Sequence, residues 1–281
     1  MIRFWFIISH RTAGLFVLLS AFVIMNSANA TQVKDERDVG IARIGDLQLD
    51  RAKSLWSDGD YDGARVLAES RDTSEGYILA SEAITAEILL GYYDKPNKPA
   101  KEARKLAEKA VLLDPNNLDA RFQQAVAFGL ETQSTGILKA WRQKLPRRMY
   151  DMIETLQDEA PNDPRGHALL GAWHFGIVNK IGERNANKWY EATLKDGTHY
   201  YEMALTLAKD DIVIMSNYAA AMILLDNPDY AQKLLTSVMD MPPRNAAEIG
   251  IKKRAAALSA LYDDPKALKE TAKDFLNHKS L

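Results

Sequence analysis

One short stretch of the chain could hold a divalent cation. Asp58-x-Asp60-x-Asp62-Gly63, with Glu69 further on, follows the calcium loop of an EF-hand. In such a loop alternating carboxylates and a distal glutamate surround the ion with oxygen, and the glycine allows the sharp turn. Two features oppose that reading. Arg65 stands where such loops place an apolar residue, and no second loop accompanies the first. The same residues also read as Gly59-Asp60-Tyr61-x-x-Ala64, a turn followed by a capped helix start, which would make Glu69 helical and carry it away from the aspartates. A structural turn is the expectation here, and calcium held by Asp58, Asp60, Asp62 and Glu69 is the alternative.

The histidines suggest a second chemistry. His167 and His174 are seven residues apart and would share a helix face, with His199 further along. Imidazole is a common zinc ligand, but two helical turns rise by about 10.5 Å, too far for both rings to reach one ion at about 2.1 Å. These rings are expected to pack or cap. The sequence has no HExxH, no GxSxG and no phosphate-binding glycine loop. Asp210-Asp211 and Asp263-Asp264 stand at expected helix starts, where carboxylates cap and favour the dipole. No catalytic residue, metal or cofactor is therefore expected, and the chain reads as a non-enzyme. The enzymatic alternative would place Glu183 or Glu191 as an acid acting on cell-wall glycan.

Two segments are locally basic and aromatic. The first carries Lys139, Trp141, Arg142, Lys144, Arg147 and Arg148, and the second Lys180, Arg184, Lys188, Trp189 and Tyr190. Such a mixture suits an acidic peptide, an anionic glycan or a phospholipid surface. The alternative is that Trp141 and Trp189 clamp these segments to the rest of the fold while the charges stay solvated.

The elements that must position these residues are set by a recurring spacing. Ala103, Ala110 and Pro115 are separated by 7 and 5 residues, and Ala231, Val238 and Pro243 repeat those gaps. Residues seven apart share a helix face, and the proline stops the helix. Gly91 precedes Ala103 by 12 residues, as Ala219 precedes Ala231, and Gly91 to Ala125 is 34. On these residues the chain resembles the tetratricopeptide repeat family, a helix, turn and helix of about 34 residues. The resemblance implies an all-α solenoid over residues 41–281, with about five or six helical pairs. Pro115 to Pro161 is 46 residues and Pro161 to Lys209 is 48, so each exceeds the period. The excess predicts inserts near residues 132–146 and 177–197, the basic and aromatic segments. Apolar residues recur at three and four rather than two, which leaves little support for strands.

The second half resembles a further family. His167 with Leu170-Gly171-x-Trp173, then the long insert, then Tyr200-Tyr201-x-x-Ala204 is similar to the repeat region of the regulator of microtubule dynamics proteins. That resemblance implies the fold and the position of the insert. The tetratricopeptide resemblance implies a concave ligand groove, and the repeat phase places Ile88, Tyr92, Phe122, Val126, Ala172, Phe175, Ala220 and Ile223 along it. The groove would be mainly apolar and suited to an amphipathic helix or an extended apolar segment.

The first 30 residues follow another rule. Arg3 and Arg11 precede an uncharged, mainly apolar run that closes on Ala28-Asn29-Ala30, the pattern of a secretory signal peptide cleaved after Ala30. An uncleaved anchor over residues 4–25 is the alternative, though His10 and Arg11 interrupt it. Residues 31–40 read as a polar lead-in. The chain has no cysteine, so disulfides and cysteine acylation are excluded. With 36 Lys and Arg against 38 Asp and Glu it lacks the field of a nucleic-acid binder. The expectation is an exported, periplasmic, non-catalytic adaptor for an envelope protein or peptide, not spanning the membrane. The alternative is an envelope protein that binds a small ligand or lipid.

Overall fold

The computed structural model describes residues 36–281. The cleavage site and residues 31–35 of the lead-in lie outside them, whereas residues 36–40, expected as lead-in, already belong to the first helix. Fourteen helices and no strand are found among the described residues. Twelve of the helices form six antiparallel pairs: α1 (Glu36–Asp58) with α2 (Tyr61–Glu69), α3 (Ser74–Leu89) with α4 (Asn97–Leu113), and α5 (Leu118–Gln133) with α7 (Leu145–Glu159). The series continues with α8 (Pro164–Ile181) and α10 (Leu194–Leu207), α11 (Ile212–Leu224) and α12 (Pro228–Asp240), and α13 (Ala246–Ser259) and α14 (Pro265–Leu276). The other two, α6 (Ile137–Arg142) and α9 (Glu183–Tyr190), fill the two expected inserts.

Local chemistry sets these boundaries. Side chains of Asp60, Thr73, Asn117, Asp163, Thr193, Asp211, Asn245 and Asp264 each accept a backbone N–H in the first turn of the following helix. Pro146, Pro164, Pro228 and Pro265 open helices where no donor is needed. Asp210 and Asp211 were placed at a helix start, and Asp211 accepts from Ile214 N at 2.8 Å.

The first helix of each central pair is buried nearly all round, and its partner is amphipathic. Every residue from 212 to 223 of α11 is buried, whereas α12 buries only Ala231, Leu234, Leu235 and Val238 on one stripe. The alanine spacing works as packing. Ser81 Oγ donates to the Ala103 carbonyl and Ser74 Oγ to that of Ala110, both at 2.9 Å, so the seven-residue step on α4 matches one on α3. Gln123 of α5 donates to Ser81 Oγ at 2.8 Å and ties the next pair to this one. Arg165, at the start of α8, reaches Asp163 and also Asp119 on α5 at 2.7 Å.

The pair α8 and α10 holds the tightest approach. A Cβ on Gly171 would lie 2.6 Å from the Tyr201 ring and 3.0 Å from the Gly197 carbonyl. Gly197 in turn faces Phe175, so each helix offers a glycine where the other brings an aromatic ring. Gly91, whose spacing from Ala103 matches that of Ala219 from Ala231, differs. It follows α3 with φ +78, ends the helix and packs against Arg254 and the Lys279 carbonyl.

That last contact shows how the stack ends. Gly59 meets Ala246, Leu90 meets Gly250, and α1 touches α13, so the last pair returns to the first. The row of helices curls until it closes on itself.

Candidate functional site

Closure removes the expected groove. Of its eight residues, Ile88, Phe122, Val126, Ala172, Phe175, Ala220 and Ile223 are buried, and only Tyr92 is exposed, at 63%. The physical reason is that α11 is covered by α13 and α14, and the inner helices pack on one another rather than on solvent. Phe175 packs against both Tyr201 and Tyr218, with centroids 5.6 and 6.2 Å away, and those two rings stack on each other at 4.8 Å; Phe122 lies 4.2 Å beneath the Arg165 guanidinium. These rings are core. Tyr92 leans on Tyr61, 6.4 Å between centroids, at the rim of the first pair.

The acidic stretch forms a turn. Helix α2 begins at Tyr61, Asp60 Oδ1 accepts from Gly63 N at 3.0 Å, and Asp62 and Glu69 both pair with Arg65, at 2.7 and 3.1 Å. A guanidinium therefore takes the carboxylates that a calcium ion would need, and Asp58 closes the preceding helix.

The histidines separate too. His167 Nε2 donates to the Pro161 carbonyl at 2.9 Å. His174 Nδ1 accepts from Thr193 N at 3.2 Å and its ring stacks on Tyr200 at 5.5 Å, so it is neutral. Burial pushes it down to about 4. His199 is exposed. Among the described residues no group of histidines and carboxylates could hold a metal ion. Glu183 and Glu191 are both exposed, at opposite ends of α9, which gives no enclosed acid pair.

The inserts, in contrast, come together. Trp173 of α8 donates its Nε1–H to the Pro146 carbonyl, just past the first insert, at 2.9 Å. Its ring also meets Tyr190, in the second insert, edge-on at 6.4 Å, and Tyr150 at 4.8 Å. One buried tryptophan thus links both inserts along one edge of the stack. On that edge Leu138 is 78% exposed, Trp141 66% and Trp189 58%. Neither insert tryptophan clamps its segment; the clamp is Trp173, with Tyr190 half-buried beside it.

Around the exposed rings lie cations. Arg142, Lys144, Arg147, Arg148, Arg184 and Lys188 are exposed, and burial pushes Lys180 at the end of α8 down to about 8. Arg147 pairs with Asp151 at 2.9 Å and covers Tyr150 at 5.2 Å. Lys144 takes left-handed backbone, φ +53, and so turns the chain from α6 into α7, which packs on α5.

Where α6 folds back it leaves a cavity of about 100 Å³. Phe128, Glu131 and Thr132 line it from α5, Thr135, Lys139 and Gln143 from the insert, and Leu145 and Arg148 from the start of α7; Arg104 of α4 completes the wall. Arg104 is held by Glu131 and Glu108, and Arg148 lies 5.2 Å over Phe128. Arg104, Glu131 and Gln143 carried no sequence signal as site residues. They belong to different elements, and only the packing of α4, α5 and the first insert gathers them.

Six stacked helical pairs with two inserts define a helical-repeat protein. Its family follows from comparison. The chain belongs to the family described as regulator of microtubule dynamics protein 1-3, whose model matches residues 65–263. The match runs well beyond the His167 to Ala204 pattern and covers both inserts. A comparison with curated proteins gave no match. The motif residues have clear work in the fold: Gly171 admits Tyr201, Trp173 ties the inserts, and Tyr200 stacks on His174.

Proposed function

We propose that this chain is an exported, non-catalytic helical-repeat adaptor that docks an acidic protein or peptide on the edge made by its two inserts. The observation that carries this reading is a contrast in exposure: the presumed groove is core, whereas Leu138, Trp141 and Trp189 stand in solvent among arginines and lysines. Exposed tryptophan and arginine are the residue types that most often dominate binding energy at interfaces. A partner with carboxylates around an apolar anchor complements both the rings and the charge.

The family name refers to microtubules, and an exported chain would not meet them, so the role carried over is attachment to a protein. Among the described residues no helix is long and apolar enough to cross a membrane. Export rests on the leader pattern and predicts a mature protein that starts at Thr31, which N-terminal sequencing of protein from cells would read directly. An intact Met1 would overturn it.

Docking is tested by cross-linking a captured partner and mapping the linked lysines. Trp141→Ala with Trp189→Ala, and separately Arg147→Glu with Arg148→Glu, should each weaken capture by more than about 1 kcal/mol. Tyr92→Ala should leave it unchanged. The reverse pattern would move the interface to the rim of the first pair.

A further inference from the structure

Resting on that reading, we infer that the cavity under α6 is the subsite that receives a side-chain carboxylate of the docked partner. The cavity is small, it is lined by Lys139 and Gln143 of the insert that carries Trp141, and its volume of about 100 Å³ suits one polar group rather than a folded segment. Its charge is asymmetric. Arg104, Lys139 and Arg148 face a single carboxylate, Glu131, which Arg104 already engages. Among the described residues nothing pairs with the Lys139 ammonium, and the Arg148 guanidinium has only the Phe128 ring beneath it. A cation over an aromatic face still presents its N–H edge outward, and a carboxylate accepts two such donors side by side.

The surroundings narrow the ligand further. Gln143 adds an amide without a side-chain partner among the described residues, and Phe128 with Leu145 gives the floor an apolar side. An aspartate or glutamate complements this lining, with oxygens to accept from Lys139 and Arg148 and a methylene for the apolar side. A cation would meet Lys139 and Arg148 head-on. An uncharged polar group would still accept from these cations but would leave their charge unbalanced, so it loses the charge–charge attraction that a carboxylate gains.

The test uses a fluorescent twelve-residue peptide that carries one tryptophan among glutamates, and the same peptide with every glutamate made glutamine. The glutamate form should bind the full chain, and the glutamine form should bind at least about tenfold more weakly. Lys139→Gln and Arg148→Gln, both exposed and so tolerated by the fold, should each weaken the glutamate peptide by about tenfold. Arg142→Gln, on the same edge outside the cavity, should cost less than about threefold. Bound peptide should also slow acetylation of Lys139 more than that of Lys144, read by mass spectrometry. Equal losses at Arg142, Lys139 and Arg148 would overturn the cavity assignment and leave docking by a diffuse field. Failure of both peptides to bind wild type would overturn the docking reading itself. Free glutarate at a hundredfold excess over the peptide should not displace it. Displacement at the peptide's own affinity would overturn the assignment to a docked chain.

Discussion

Asp211 and His174 titrate in the same pH window with opposite effects on stability. Burial pushes Asp211 up to about 6, so between its ordinary value of 3.8 and 6 the folded chain holds a proton that the unfolded chain has lost. Its contribution therefore falls as pH rises through that window. His174 runs the other way. It is pushed down to about 4 from 6.5, the unfolded chain binds the extra proton, and stability is lost as pH falls from 6.5 toward 4. Buried His278, pushed down to about 3, adds to the histidine side. Asp211→Asn keeps an acceptor for the Ile214 N–H and removes only the carboxyl titration. Its melting temperature should match or exceed wild type at pH 7.5 and fall more steeply than wild type between pH 6.5 and 4.5. Parallel curves would show that Asp211 ionises as it does in the open chain. Gly171 offers a second test at this scale. Gly171→Ala must displace the buried Tyr201 ring and should cost about 1–3 kcal/mol in urea unfolding. Gly136→Ala, with nothing within 4 Å of the added methyl, should stay within about 0.5 kcal/mol of wild type.

Helix positions were largely legible because they depend on local chemistry. Asp60, Asp211 and Asp264 cap helices, Pro115 and Pro243 follow helix ends, and both inserts fall where the 34-residue period is exceeded. Which side of a helix meets solvent was not. The repeat phase correctly put Phe122 and Phe175 on inner helices, but whether an inner face is open depends on how far the stack curls, and no short-range spacing records curvature. The same limit hid the cavity, since Arg104 and Gln143 come to line it only through the packing of α4, α5 and the first insert. The burial of the inner helices has a direct consequence. Phe175→Ala empties a space beside the stacked Tyr201 and Tyr218 rings and should cost about 3–5 kcal/mol, as for a core aromatic. A cost under about 1 kcal/mol, with binding lost instead, would restore the open groove.

The whole molecule is held closed by a few polar contacts between distant parts of the chain. Arg254 Nη1 donates to the Lys279 carbonyl at 2.6 Å and lies 3.4 Å from that of Leu90, while Nη2 donates to Phe275 O at 3.1 Å. Ser280 Oγ donates to the Gly91 carbonyl at 2.9 Å, and Gln133 Nε2 to that of Leu276 at 2.8 Å. Burial pushes Arg254 down to about 10, which leaves it charged at neutral pH and dependent on those carbonyls. The family match ends at residue 263, so α14 and the tail that fastens the last pair to the first lie beyond the matched residues. Deleting residues 277–281 should leave Arg254 without its closest acceptor and cost about 1.5–3 kcal/mol, the range for a hydrogen bond to a charged group. Arg254→Met should cost a similar amount. Because both changes break one network, the double variant should be little worse than either alone, and hydrogen exchange at residues 86–91 should rise in all three. Additive losses, or unchanged exchange at those residues, would mean that the two ends of the stack are fastened independently and that the tail does not hold the ring shut.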